Sequence, residues 1–191
     1  MSDDNVKPVI EALLFASEKP LTLEQIKNVL DGLGTDQIRG VLEELKSEYE
    51  RANRGMRINE VAGGFQMITS PNFAPFLKKL YKERRAEKLS KPALETLAIV
   101  AYKQPVTRLE IESIRDVNVD GVVKHLLDKG LIRIAGRRKA AGRPYVFGTT
   151  RQFLEYFGLK SLEELPKIEN FPAAVSAKEA GDEPKELTPK N

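Results

Sequence analysis

Seven cations crowd one stretch of the chain: Lys129, Arg133, Arg137, Arg138, Lys139, Arg143 and Arg151, with no acid between the first and the last. A loop with that charge can lie along a phosphate backbone, with affinity falling steeply as salt rises. It can equally meet an acidic protein, or simply stay solvated. Other chemistry is hard to assemble. The only histidine, His125, falls inside a helical run, and the chain has no cysteine. Thiolate catalysis and cysteine-based metal sites are therefore excluded, and no second histidine completes a metal site. Gly63-Gly64 and Gly136 lack the Lys-Ser/Thr of a phosphate loop. Acids are frequent but scattered on faces that read as solvated. The expectation is a protein that is not an enzyme and carries no cofactor or metal.

The elements that hold the basic loop occur twice. Ala16-Ser17-Glu18-Lys19-Pro20-Leu21-Thr22 is echoed by Ala101-Tyr102-Lys103-Gln104-Pro105-Val106-Thr107, a shift of 105 − 20 = 85 between the prolines. Ile38, Val41, Leu42 and Leu45 are echoed by Val119, Val122, Val123 and Leu126 (119 − 38 = 81), and Thr69 and Phe73 by Thr149 and Phe153 (149 − 69 = 80). One fold of about 80 residues is used in tandem.

Each unit has the same grammar. Apolar residues at helical spacing predict a helix over Val6–Ser17, stopped before Pro20. Thr22 with Gln25, and Thr107 with Glu110, read as capping boxes that open second helices. Third helices are predicted from Thr35 to about Ala52 and from about Asn118 to Lys129, and the period then switches to short strands around Gly63-Gly64 and around the basic loop. A closing helix starts at Ser70-Pro71, with Phe73, Phe76, Leu77 and Leu80 as its apolar face; another runs over Thr150–Phe157. Three helices and a hairpin make a winged helix, a helix-turn-helix variant. The predicted class is mostly α with small β wings (α+β). Two tandem winged-helix domains, 1–81 and 90–166, are joined by a charged linker, 82–89, and followed by a disordered tail, 167–191.

Charge divides the chain. Residues 1–60 carry 8 basic and 12 acidic side chains, net −4; residues 61–160 carry 19 and 9, net +10; residues 161–191 carry 4 and 7, net −3. The amino-terminal residues of the third helices are Asp36 and Gln37 in one unit, and Asn118, Asp120 and Gly121 in the other. Carboxylates there repel phosphates, so neither unit reads as a sequence-specific DNA binder. Protein binding is favoured, with a weak nonspecific phosphate contact through Arg137, Arg138, Lys139 and Arg143 as an addition. The first helix has more apolar surface than its own core needs; Val6, Val9, Ile10, Leu13 and Phe15 are the candidate self-association residues. No run approaches the ~18 residues of a spanning helix, and the acidic start lacks a signal-peptide pattern, so no membrane role and a cytosolic location are expected.

Leu89-Ser90-Lys91-Pro92-Ala93-Leu94-Glu95-Thr96-Leu97-Ala98-Ile99-Val100-Ala101-Tyr102-Lys103-Gln104-Pro105-Val106-Thr107-Arg108 resembles the signature of segregation and condensation protein B. So do Gly136-Arg137, Gly142-Arg143-Pro144, Gly148-Thr149-Thr150 and the closing run Phe153-Leu154 to Leu165-Pro166. The resemblance covers residues from about 6 to 166. It implies a non-catalytic subunit of the bacterial SMC complex, nucleoid-associated, that dimerises mainly through its amino-terminal domain. It also implies binding to the kleisin, segregation and condensation protein A, and through the kleisin to the SMC ATPase. The implied work is chromosome condensation and partitioning in cell division. On the second unit a helical face near Leu97, Val100, Ala101, Tyr102 and Arg108 is the candidate kleisin site. The chain departs from the family where Asp116 replaces a common Gly, Ala141 a common Pro and Phe147 a common Tyr. The alternative is a tandem winged-helix transcription regulator or a nonspecific nucleoid protein.

Overall fold

Both capping boxes form. Thr22 N–H donates to Gln25 Oε1 at 2.9 Å and Gln25 N–H returns to Thr22 Oγ1 at 3.2 Å. Thr107 N–H donates to Glu110 Oε2 at 2.8 Å and Glu110 N–H returns to Thr107 Oγ1 at 3.3 Å. Each box satisfies backbone donors that a helix start leaves orphaned. The computed structural model describes residues 6–30, 32–81 and 88–167. The expected disordered tail, from residue 168 on, and most of the charged linker, 82–87, lie outside the described residues.

The first unit contains α1 (Val6–Ala16), α2 (Leu23–Lys27), α3 (Thr35–Arg51), β1 (Met56–Val61), β2 (Gly64–Thr69), a 3-10 turn (Pro71–Phe73) and α4 (Ala74–Leu80). The second contains α5 (Lys91–Lys103), β3 (Val106–Thr107), α6 (Arg108–Arg115), α7 (Asp120–Asp128), β4 (Ile132–Arg137), β5 (Tyr145–Thr149) and α8 (Arg151–Phe157). A second 3-10 turn, Leu162–Glu164, follows α8. β1 and β2 pair antiparallel from Met56↔Thr69 to Val61↔Gly64. Their two-residue turn puts Ala62 at φ 50° and Gly63 at φ 70°, the twist that a tight hairpin requires. The second sheet is ordered β3-β5-β4.

The short first strand, invisible in the sequence, exists in both units in different strength. In the second it is β3, paired with β5 at Val106↔Phe147 and Thr107↔Val146. In the first it shrinks to one bridge, Leu21↔Phe65. A Cβ on Gly64 would stand 2.8 Å from Leu21 O, so only glycine lets that bridge close.

Each unit has its own core. Val6, Ile10, Leu14, Ile26, Leu30, Ile38, Leu42, Leu45, Ile58 and Phe65 form the first. Leu89 joins Leu97, Val100, Ile111, Leu126 and Phe153 in the second, so the second core starts inside the segment expected to be linker. The units touch through Ala62 N–H to Leu159 O (2.8 Å), Arg151 to Pro20 O (2.9 Å) and Lys160 to Glu60 (3.2 Å).

Candidate functional site

The wing of the second unit is built by β4, β5 and the loop between them. Arg138 N–H donates to Pro144 O and Arg143 N–H to Ala140 O, each at 2.9 Å, which folds the loop back on itself. Two of its cations are engaged within the unit. Arg137 lies over the Tyr145 ring at 4.2 Å and donates to its hydroxyl at 2.6 Å. Arg138 pairs with Glu110 of α6 and donates to Pro105 O at 3.0 Å. Arg133, Lys139 and Arg143 stand exposed, with no ion pair among the described residues. Glu110 thus serves two elements. One oxygen closes the capping box with the Thr107 amide and hydroxyl, and the other anchors the wing. The Thr107 amide, then its hydroxyl, then Arg138 hold the Glu110 carboxyl below the usual carboxylate range.

Beside the wing, the start of α7 is acidic but paired. Arg108 pairs with Asp120 and approaches Glu112 at 3.8 Å. The Asp120 pairing raises the Arg108 pKa and, with Asn118, lowers that of Asp120. Glu112 also accepts from Val119 N–H at 3.3 Å. The amino-terminal end of α7 therefore presents one guanidinium between two carboxylates, net −1, not a cationic base-reading edge.

The first unit displays a large apolar side chain beside charged ones. Phe15 is 72% exposed at the end of α1. Shallow openings lie along this unit. One, of about 260 Å³, is lined by Pro8, Ala12, Phe15, Met56 and Met67 among others. A larger one, about 510 Å³, runs between α1, the end of α3 and the start of β1. Lys7 bridges Glu44 (3.1 Å) and Glu48 (2.6 Å) along it, Tyr49 donates to Glu11, and these carboxylates raise both the Lys7 and the Tyr49 pKa. α4 buries none of its residues: Phe76 is 68% and Leu80 74% exposed.

A family model described as "Segregation and condensation complex subunit ScpB" matches residues 8–168, through both winged helices. The segregation and condensation protein B of Syntrophotalea carbinolica is 46% identical over 171 residues, 90% of this chain and 86% of that protein. This chain belongs to the segregation and condensation protein B family. Among solved structures, ScpB from Mycobacterium tuberculosis is 36% identical, with 83% of this chain and 98% of that one covered and a TM-score of 0.41. A structure titled "dimer of ScpB N-terminal domain complexed with ScpA peptide" is 38% identical over 40% of this chain and 95% of that one, TM-score 0.38.

Within this ScpB-family chain the residues picked from sequence separate by burial. Of the self-association candidates, Val6 and Ile10 belong to the core, Val9 and Leu13 are half-buried, and Phe15 alone is fully displayed. Of the kleisin candidates, Leu97, Val100 and Ala101 are core residues and offer no docking surface. Tyr102 is half-buried and donates to Pro166 O at 2.6 Å, and Arg108 is exposed but paired. The apolar side chains that α6 and its end do display, Leu109, Ile114 and Val117, were not singled out from sequence. Ile114 lines an opening of about 330 Å³ with Pro105, Val106 and Arg138. The departure at Asp116 has a backbone consequence: it caps α6 in the left-handed region (φ 54°), where glycine is at ease. Among the described residues no helix is long and apolar enough to cross a membrane, and no group of three or more potential ligands could hold a metal ion.

Proposed function

We propose that this chain is a non-catalytic adaptor of the bacterial SMC–kleisin complex. It acts as a homodimer, paired through its first unit, that clasps the kleisin, segregation and condensation protein A, and reaches the SMC ATPase through it. Its work is chromosome condensation and partitioning, in the cytoplasm at the nucleoid. The observation that carries this reading is the family match over residues 8–168, which takes in both winged helices. The physical chemistry agrees. The displayed features are apolar side chains at helix faces and paired charges, the material of protein recognition.

The test is light scattering on a sizing column, with the chain mixed with the kleisin of the same genome. Co-elution at two copies to one kleisin supports the adaptor. Separate elution at micromolar concentrations contradicts it. A second reading, weak nonspecific contact of the wing with duplex DNA, draws on exposed Arg133, Lys139 and Arg143. It predicts affinity that is independent of DNA sequence and falls steeply with salt.

A further inference from the structure

The second wing carries more positive charge than its own unit answers. Of the carboxylates on α6 and at the start of α7, Glu110 is taken by Arg138, and Glu112 and Asp120 by Arg108. Arg133, Lys139 and Arg143 are left exposed, with no ion pair among the described residues. Three like charges on one small loop raise the local potential and favour any anion brought between them.

The described chain ends at the corner where that loop is rooted. Tyr102, at the end of α5, donates to Pro166 O at 2.6 Å, and Pro166 is followed by the last described residue, Lys167. Pro105, three residues after Tyr102, accepts from Arg138 of the wing at 3.0 Å. Three residues of backbone span at most about 11 Å, so the point from which the tail departs and the root of the loop share one end of the second unit. The sequence continues for 191 − 167 = 24 residues. Within it Glu179, Asp182, Glu183 and Glu186 stand close together with one cation, Lys185, a net −4 + 1 = −3 against the +3 of the wing. Glu179 lies 179 − 167 = 12 and Glu186 lies 186 − 167 = 19 residues beyond Lys167. Coils of those lengths span about 20–25 Å, comparable with the two side chains and three residues that separate Pro166 from the loop. Tethering at that range corresponds to a millimolar effective concentration.

We propose that the acidic stretch 179–186 of the chain's own tail lies over Arg133, Lys139 and Arg143 of the second wing and competes there with any phosphate backbone. The competition rests on the phosphate contact read above, whereas the tail contact stands without it. The wing is held close to neutral at low salt. The tail contact weakens as added ions screen it, the Debye length being about 10 Å at 0.1 M salt.

The test uses the full-length chain. A carbodiimide joins lysine amines to carboxylates in contact with them, and the product of one-chain mass is digested and its linked peptides identified by mass. The Lys7–Glu48 and Lys160–Glu60 pairs, at 2.6 and 3.2 Å, serve as internal standards. The expected result is a link from Lys139 to the stretch 179–186 at about 0.05 M salt, mostly lost at about 0.5 M. In parallel, the full-length Glu179→Gln/Asp182→Asn/Glu183→Gln/Glu186→Gln variant should bind a random duplex of about 20 base pairs about 3–10-fold tighter than the native chain at low salt, with the gap closing as salt rises. Three results overturn the inference. In one, the standards link and Lys139 does not reach the tail. In another, the Lys139–tail link occurs only in material of two-chain mass, which places the tail on another copy's wing. In the third, native chain and variant bind the duplex equally at low salt. If neither binds duplex at any salt, the phosphate reading of the wing fails, and the cross-link alone decides the tail contact.

Discussion

The closing helices α4 and α8 start from the same repeat position and end in different environments. α8 sends Phe153 into its own core and is followed by Leu159 and Leu165, which pack there too. α4 buries none of its residues, although Phe76, Leu77 and Leu80, with Phe73 just before them, make an apolar pattern of its own. Among the described residues, the second unit is thus completed by its own chain and the first is left open. The difference teaches that an amphipathic pattern specifies a face to be covered, not what covers it. The helix starts differ as well: the Thr150 hydroxyl donates to Gly130 O at 2.6 Å, whereas Ser70 makes no side-chain cap bond and is held through its backbone N–H to Gly55 O at 2.9 Å.

The sharpest way to break this comparison is to shorten the two matched phenylalanines. Phe153→Ala should lower stability by about 3–5 kcal/mol, the usual cost of emptying a core phenylalanine site. Phe73→Ala should stay within about 0.5 kcal/mol in the monomer. Urea unfolding of full-length variants measures both, and equal losses would remove the contrast. Next in size is the tie between α5 and the end of the second unit. Tyr102→Phe loses the hydrogen bond to Pro166 O and should cost about 1 kcal/mol, seen as a lower denaturation midpoint with an unchanged slope. Smaller again is Asp116→Gly, which relieves a left-handed non-glycine residue and should gain about 0.5–1 kcal/mol.

Two further tests concern charge in the second unit. Glu110 has a folded pKa below its unfolded value. Its contribution is therefore complete above the unfolded value, near 4.3 for a glutamate, and is lost as pH falls through the lower folded value. Glu110→Gln should remove that part of the acid sensitivity in thermal melts between pH 5 and 3, while the first unit's melting stays unchanged. The smallest effect is on the wing. Replacing Lys139 and Arg143 by Gln should reduce the salt slope of any duplex binding by about two. An unchanged slope would show that the wing does not touch phosphate.

Much of this fold was legible because its signals are local. Thr22-Gln25 and Thr107-Glu110 wrote the starts of α2 and α6, Gly63-Gly64 wrote the hairpin, and Pro20 and Pro105 ended the first helices. The surfaces were less legible, because exposure depends on partners distant in sequence. Leu97, Val100 and Ala101 look like a face until α7 and β5 pack on it. Arg138 looks like a free wing cation until Glu110, 28 residues earlier, is found beside it. The proline-centred echo also misaligned the helices. At a shift of 85, Ala16 meets Ala101, but Ala16 is exposed and Ala101 buried. The burial offset, from Leu14 to Ala101, is 101 − 14 = 87, because the turn into Pro105 is two residues shorter than the turn into Pro20. The correct offset matches Phe15 with Tyr102, and only burial in the folded chain shows it.

The most direct measurement of the central claim is light scattering of the full chain alone, native and Phe76→Asp, over a range of concentrations. The account predicts a native mass of about 2 × 21.4 kDa and a variant mass of 21.4 kDa, with the same thermal stability of the folded units in each. A native chain of 21.4 kDa throughout, or a variant that remains fully dimeric, would contradict the view that the open first unit is where two copies meet.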